Sequence, residues 1–151
     1  MGVTNRGKKL ILEWAFRLNK PSNFYVLLAT SAVTPTEDTN IVNDIQEIAA
    51  GNGYSSGGQQ IPASEIGFPI LVEDDTANRG YIKVANLSWT ASGGNLPPSG
   101  LGARYAILTD DADPNPIYRN VIAFWDLGSD IILSPGQTLE LNGLELRLNE
   151  P

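Results

Sequence analysis

The sequence predicts a mainly β protein: an antiparallel β-sandwich or jelly-roll-like domain with a short N-terminal α-helix and one further short helix. Three observations predict it. Beyond residue 20 the apolar residues fall into seven or eight short runs, rich in branched and aromatic side chains and separated by Gly, Pro, Asn and Asp clusters. Before residue 20 the apolar spacing is helical. The length of 151 residues suits one domain, and folding a chain of this size buries about 68–70% of its unfolded surface, enough for one core. No internal repeat or second domain is evident, so residues 1–20 are expected as a basic amphipathic helix and 21–151 as one sandwich domain.

Leu10, Trp14 and Leu18 recur at i, i+4 and i+8, with Ile11 and Ala15 beside them and Thr4 or Asn5 placed to cap the start. Glu13 and Arg17 interrupt this stretch and no small-residue cleavage site follows, so neither a signal peptide nor a membrane span is expected. Asn19 to Asn23, with Pro21, ends the helix. Phe24 to Ala29 reads as a strand buried on both faces, and Thr30 to Asn40 as a polar loop. Ile41, Val42, Ile45 and Ile48 suggest the second short helix, closed at Gly51-Asn52-Gly53, with Tyr54 to Gly58 as a flexible link.

Phe68 to Glu73 follows, where Pro69 marks an edge strand or a strand start. Tyr81 to Trp89 reads as one strand whose apolar parity changes between Val84 and Leu87, predicting a bulge near Ala85 or Asn86. Ala103–Thr109 and Arg119–Asp126 are two strands joined by the turn-rich Asp110 to Pro116. Ser134-Pro135-Gly136-Gln137 is a tight turn. Leu139 and Leu141, then Leu144, Leu146 and Leu148, alternate with polar residues around Asn142-Gly143, a type I′ hairpin signal.

Composition excludes more than it suggests. With no His and no Cys there is no Ser-His or Cys-His couple, no imidazole or thiolate metal ligand and no disulfide. Net charge is −7, which argues against general nucleic-acid affinity. The charge is uneven: residues 1–20 hold Arg6, Lys8, Lys9, Arg17 and Lys20 against Glu13 alone, a net +4, so residues 21–151 carry −11. A basic amphipathic start could dock on an acidic protein surface, on a neighbouring copy, or on its own core, the commonest use of such a stripe.

Three patterns could carry chemistry. Glu73-Asp74-Asp75, and Asp110, Asp111 and Asp113, could gather oxygens around calcium, although Asp-rich turns are common and no EF-hand spacing follows. Asp126 beside Phe124-Trp125 could belong to a glycosidase carboxylate pair, but Trp14, Trp89 and Trp125 are more simply core residues. Asn86-Leu87-Ser88 matches a glycosylation sequon without a secretory context, and reads as coincidence. No metal, cofactor or catalytic residue is assigned.

The order of segments resembles that of small virion proteins of tailed bacteriophages. The resemblance rests on the short N-terminal helix, Phe24 to Ser31, Glu47 to Tyr54, Leu87 to Gly94, Ala103 to Asp111, Ala123 to Asp126 and Pro135 to Leu139, and spans nearly the whole chain. It implies a non-enzymatic structural part of the virion, assembled in the host cytoplasm, with no nucleic-acid or membrane partner. The expected role is a capsid decoration (cement) protein that binds the outer head surface and stabilises contacts between major capsid protein subunits, its expected partner being that protein or another virion protein. A homo-oligomer, trimer or dimer, is expected. A neck or tail accessory protein, of fibre or baseplate type, and a calcium-dependent sugar-binding module stand as alternatives. The candidate interface comprises the basic start, Arg6, Lys8, Lys9, Arg17 and Lys20, and the strand of Leu144, Leu146 and Leu148 followed by Asn149-Glu150-Pro151, an edge for pairing. Thr30–Asn40 and Ser92–Gly102 are candidate contact loops.

Overall fold

A computed structural model describes residues 1–149. Its architecture is mainly β, antiparallel and sandwich-like, as the sequence predicts. The central sheet is built from the runs that are apolar at consecutive positions: β2 (Asn23–Ala29), β7 (Ala103–Asp110) and β8 (Val121–Ile131). Two short strands, β1 (Gly2–Val3) and β3 (Gln59–Pro62), complete the order β1-β8-β7-β2-β3. The register aligns Leu27, Ile107 and Phe124 on one face, and Leu28, Ala106 and Trp125 on the other. Both faces are covered, which explains the lack of polar alternation in these strands.

The second layer comprises a three-stranded sheet, β10-β5-β4, made from β4 (Ile70–Asp74), β5 (Arg79–Lys83) and β10 (Glu145–Asn149), and a pair, β6 (Leu87–Thr90) with β9 (Thr138–Leu141). Val84, Leu87, Trp89, Leu141 and Leu146 from this layer pack with Val26, Leu28, Ala106 and Ile122 of the central sheet. Pro69 sits just before β4, an edge strand, so its missing N–H takes nothing from the ladder.

Four local expectations are corrected. Tyr81 to Trp89 is not one bulged strand: β5 and β6 belong to different sheets, and the parity change marks the crossing from one to the other. Asn142-Gly143 makes no hairpin, because β9 pairs with β6 while β10 pairs with β5. Only Gly143 of the two has positive φ (66°), whereas a type I′ turn requires it at both. The second helix shrinks to a 3₁₀ turn at Val42–Asp44. Its isoleucines serve the sheet instead: Ile45 joins the cluster of Leu27 and Ile107, and the Ile48 amide donates to the Leu28 carbonyl at 3.0 Å.

The fourth correction concerns Tyr54 to Gly58, which is pinned rather than flexible. The buried Tyr54 hydroxyl accepts from the Leu28 amide (3.0 Å) and donates to the Glu47 carboxylate (2.6 Å). Glu47 also accepts from the Gly57 amide and the Ser56 hydroxyl. Beyond Val26, where β3 stops pairing, Gln46 to Ile48 close the edge of β2, and the Tyr54 hydroxyl takes the Leu28 amide between them. A side chain at Gly58 (φ 76°) would strike the Val26 carbonyl, so only glycine brings the segment this close.

The N-terminal helix, α1 (Asn5–Arg17), forms as expected and docks on β8. The Thr4 hydroxyl caps it by accepting from the Gly7 amide (2.8 Å), and the Thr4 amide donates to the Ile122 carbonyl (3.0 Å). Gly7 is buried directly against the Ile122 backbone. Among the described residues no helix is long and apolar enough to cross a membrane.

Candidate docking groove

The helix and the three-stranded sheet splay apart over the central sheet and leave an apolar groove of about 700 Å³. Ile11 and Trp14 of α1 form one wall, and Leu71, Ile82, Leu146 and Leu148 the other. Leu108 and Ile122 lie at its floor. The register explains the second wall: Leu71, Ile82 and Leu146 are cross-strand neighbours, so alternation puts them on one face. Trp14, Phe24 and Phe68 line the groove edge to face, with ring centroids 5.4 and 5.3 Å apart, a preferred aromatic geometry. Lys20 and Glu65 are the charged residues of its lining.

Apolar side chains stand in water on the segments that supply the groove's walls. On α1, Leu12 and Phe16 lie one turn apart on the face turned from the core and are 59% and 82% exposed. Leu18, Ile66 and Leu71 are exposed at 86%, 80% and 77%. Single exposed apolar residues need no explanation, but a concentration of them beside an apolar concavity marks a contact site.

The groove brings together two of the sequence-predicted interface elements. Three of the five residues of the expected helical stripe, Leu10, Ile11 and Trp14, pack on the protein's own core, while Ala15 and Leu18 face solvent. Of the basic residues, Arg6 donates to the Asn120 side chain, Lys8 pairs with Glu37 and Lys9 with Glu13. Arg17 and Lys20 are exposed and form no ion pair among the described residues. β10 is an edge strand as expected: Leu144 is half-buried, Leu146 buried and Leu148 46% exposed at the groove. Glu150 and Pro151 lie outside the described residues. The Thr30–Asn40 loop is largely structural, with Pro35 and Thr39 buried and the Asn40 carbonyl accepting from Val121, and exposes its tip at Ala32–Thr34. In Ser92–Gly102, Leu96 is buried and pairs with Leu133, leaving Pro98–Leu101 exposed.

Comparison with family models, curated proteins and solved structures finds no match to this chain.

The carboxylates named as possible chemistry serve local structure. Asp110 is buried and accepts from the Ala112 amide and from both the amide and side chain of Asn120. Asp111 accepts from the Asn23 amide and Asp113 from that of Asn115. Among the described residues no group of three acidic side chains is placed to hold a metal ion. Trp89 and Trp125 are buried, the latter donating its indole N–H to the Glu145 carbonyl (3.0 Å), so neither offers a face to a sugar.

Asp126 faces Arg104 in a two-point ion pair (2.7 and 3.0 Å) rather than a second carboxylate. The Arg104 hydrogen bonds, then the Gly128 amide, hold its carboxyl below the usual carboxylate range. A lowered folded pKa means the pair stabilises the fold above the unfolded value of about 3.9 and loses that contribution as pH falls through the folded one. Carbon-detected NMR titration of the side chains should therefore find Asp126 titrating below an unperturbed aspartate, and Arg104→Gln should raise it part of the way back, the Gly128 amide remaining.

One site was not evident in the sequence. Arg119 is buried with its guanidinium 3.7 Å from the centre of the Tyr25 ring, its Nε donating to the Asp113 carbonyl (3.2 Å). The stack joins β2 to the turn before β8, and only a fold can reveal such a pair.

Proposed function

We propose that this chain is a non-enzymatic structural protein of a tailed-bacteriophage virion, and within it a capsid decoration protein that binds the outer head surface and bridges major capsid protein subunits. The observation that carries the reading is the exposed apolar surface of α1 and the groove, bordered by the open edges of β4 and β10. A protein that works by holding neighbours together needs such a surface. The resemblance in segment order supplies the virion context. The commitment of Asp110, Asp111, Asp113 and Asp126 to turns and an ion pair supports a contact role over a chemical one. The −11 carried by residues 21–151 favours solubility before assembly.

Quantitative mass spectrometry of purified virions tests this. A copy number comparable with the major capsid protein is the expected result. A handful of copies per particle would move the protein to the neck or tail, and its absence from particles would overturn the virion reading.

A further inference from the structure

We propose that the groove is filled by a second copy of this chain, which seats the outer face of its own α1, Leu12 and Phe16, in it. The inference rests on the groove being a docking face and is independent of where in a virion the protein sits. The chain carries both halves of such a contact. The knob is Phe16 with Leu12 one turn before it, both standing in water. The socket is the 700 Å³ groove, lined by Trp14, Phe24, Phe68 and Leu71. α1 cannot fill its own groove, because the Thr4 and Gly7 contacts to Ile122 fix it with Trp14 turned inward and Phe16 outward.

Charge selects the same occupant. Arg17, next to the knob, and Lys20 have no ion-pair partner among the described residues, and neither do Glu65, Glu73 and Asp75. Glu73 shares the groove face of β4 with Leu71, and Glu65 lines the groove itself. Residues 1–20 carry +4, whereas the rim across the groove, with Glu65, Glu73, Asp74 and Asp75 against Arg79 and Lys83, carries −2. A copy entering helix first therefore brings positive charge to an acidic rim while burying its apolar knob. Knob and socket are different surfaces, so each copy gives its helix to the next, and closure of that head-to-tail contact yields a ring.

Sedimentation velocity of the full chain over a wide concentration range, at low and high salt, tests this with Phe16→Asp, Glu73→Lys and, outside the groove lining, Tyr118→Asp. The wild type should self-associate, more weakly at high salt. Phe16→Asp should weaken association at least about thirtyfold, the scale of a buried aromatic anchor. At concentrations where the wild type is monomeric its melting curve should not move, because Phe16 is then already in water. Glu73→Lys should weaken association, Arg17→Glu added to it should restore part of the loss, and Tyr118→Asp should change nothing. A wild type that stays monomeric at every concentration, or a Phe16→Asp variant that associates like the wild type, overturns the proposal. So does a monomer whose groove takes up dodecanoate. Self-association of the purified chain and the copy number of the wild type in virions are separate measurements, so the two readings fail separately.

Discussion

Gly7→Ala should destabilise the protein by about 1–3 kcal/mol, although alanine is the better helix former by about 1 kcal/mol. A Cβ at Gly7 would lie 2.3 Å from the Ile122 carbonyl oxygen, and that oxygen belongs to a β8 backbone held on both sides. The helix must move instead. Overpacking of this kind costs about 1–3 kcal/mol, and displacing the first turn strains the Thr4 cap, a contact of roughly 1 kcal/mol. The sum outweighs the gain in propensity. In a chain of this length it corresponds to a melting temperature lower by several degrees, which calorimetry reads directly. Because Gly7 holds α1 on the groove, the variant should also change the near-ultraviolet circular dichroism of Trp14. Unchanged melting would mean that α1 does not sit tightly on β8.

Tyr54→Phe should cost about 2–4 kcal/mol while keeping the ring and its packing against Trp89. The hydroxyl is the partner of the Leu28 amide, and a buried amide left unpaired costs about 1–3 kcal/mol. The charge-assisted bond to Glu47, worth about 1.5–3 kcal/mol, is lost with it. These terms overlap because Glu47 keeps the Gly57 amide and Ser56 hydroxyl. Hydrogen exchange at the Leu28 amide should accelerate in the variant. Burial, then the Glu47 charge, pushes the phenol of Tyr54 far above its ordinary value. A raised folded pKa means this contribution is complete below the unfolded value of about 10 and is lost as pH rises beyond it. The wild type should therefore lose stability above pH 10 more steeply than Tyr54→Phe.

The parts of the fold that were legible are those in which local pattern and tertiary demand agree. β2, β7 and β8 are apolar at consecutive positions because both faces are covered, and α1 carries its stripe and its Thr4 cap. Where the two disagree the tertiary demand wins. Ile41, Ile45 and Ile48 have helical spacing, yet the edge of β2 beyond Val26 requires an extended partner, and the segment supplies it. Asn142-Gly143 has hairpin chemistry, but Leu144 to Leu148 find their partner in β5, across the chain from β9. Both halves of the groove were visible separately, as the helical stripe and as the alternation of Leu146 and Leu148. Their meeting was not, since it depends on Phe24 and Phe68 being brought beside Trp14 by pairings distant in sequence.

These observations make one surface central: the apolar groove and its exposed rim. A carboxylate on that rim should stop the protein joining a particle without unfolding it, because Leu71 is 77% exposed and contributes little to the core. The direct measurement is the copy number, by quantitative mass spectrometry, in particles assembled with Leu71→Asp, with Tyr118→Asp as the control on an exposed site outside the groove lining. A loss of about tenfold or more for Leu71→Asp, the scale of one interface anchor, with wild-type incorporation of Tyr118→Asp, is the predicted result. Equal incorporation of both variants at the wild-type level would contradict it.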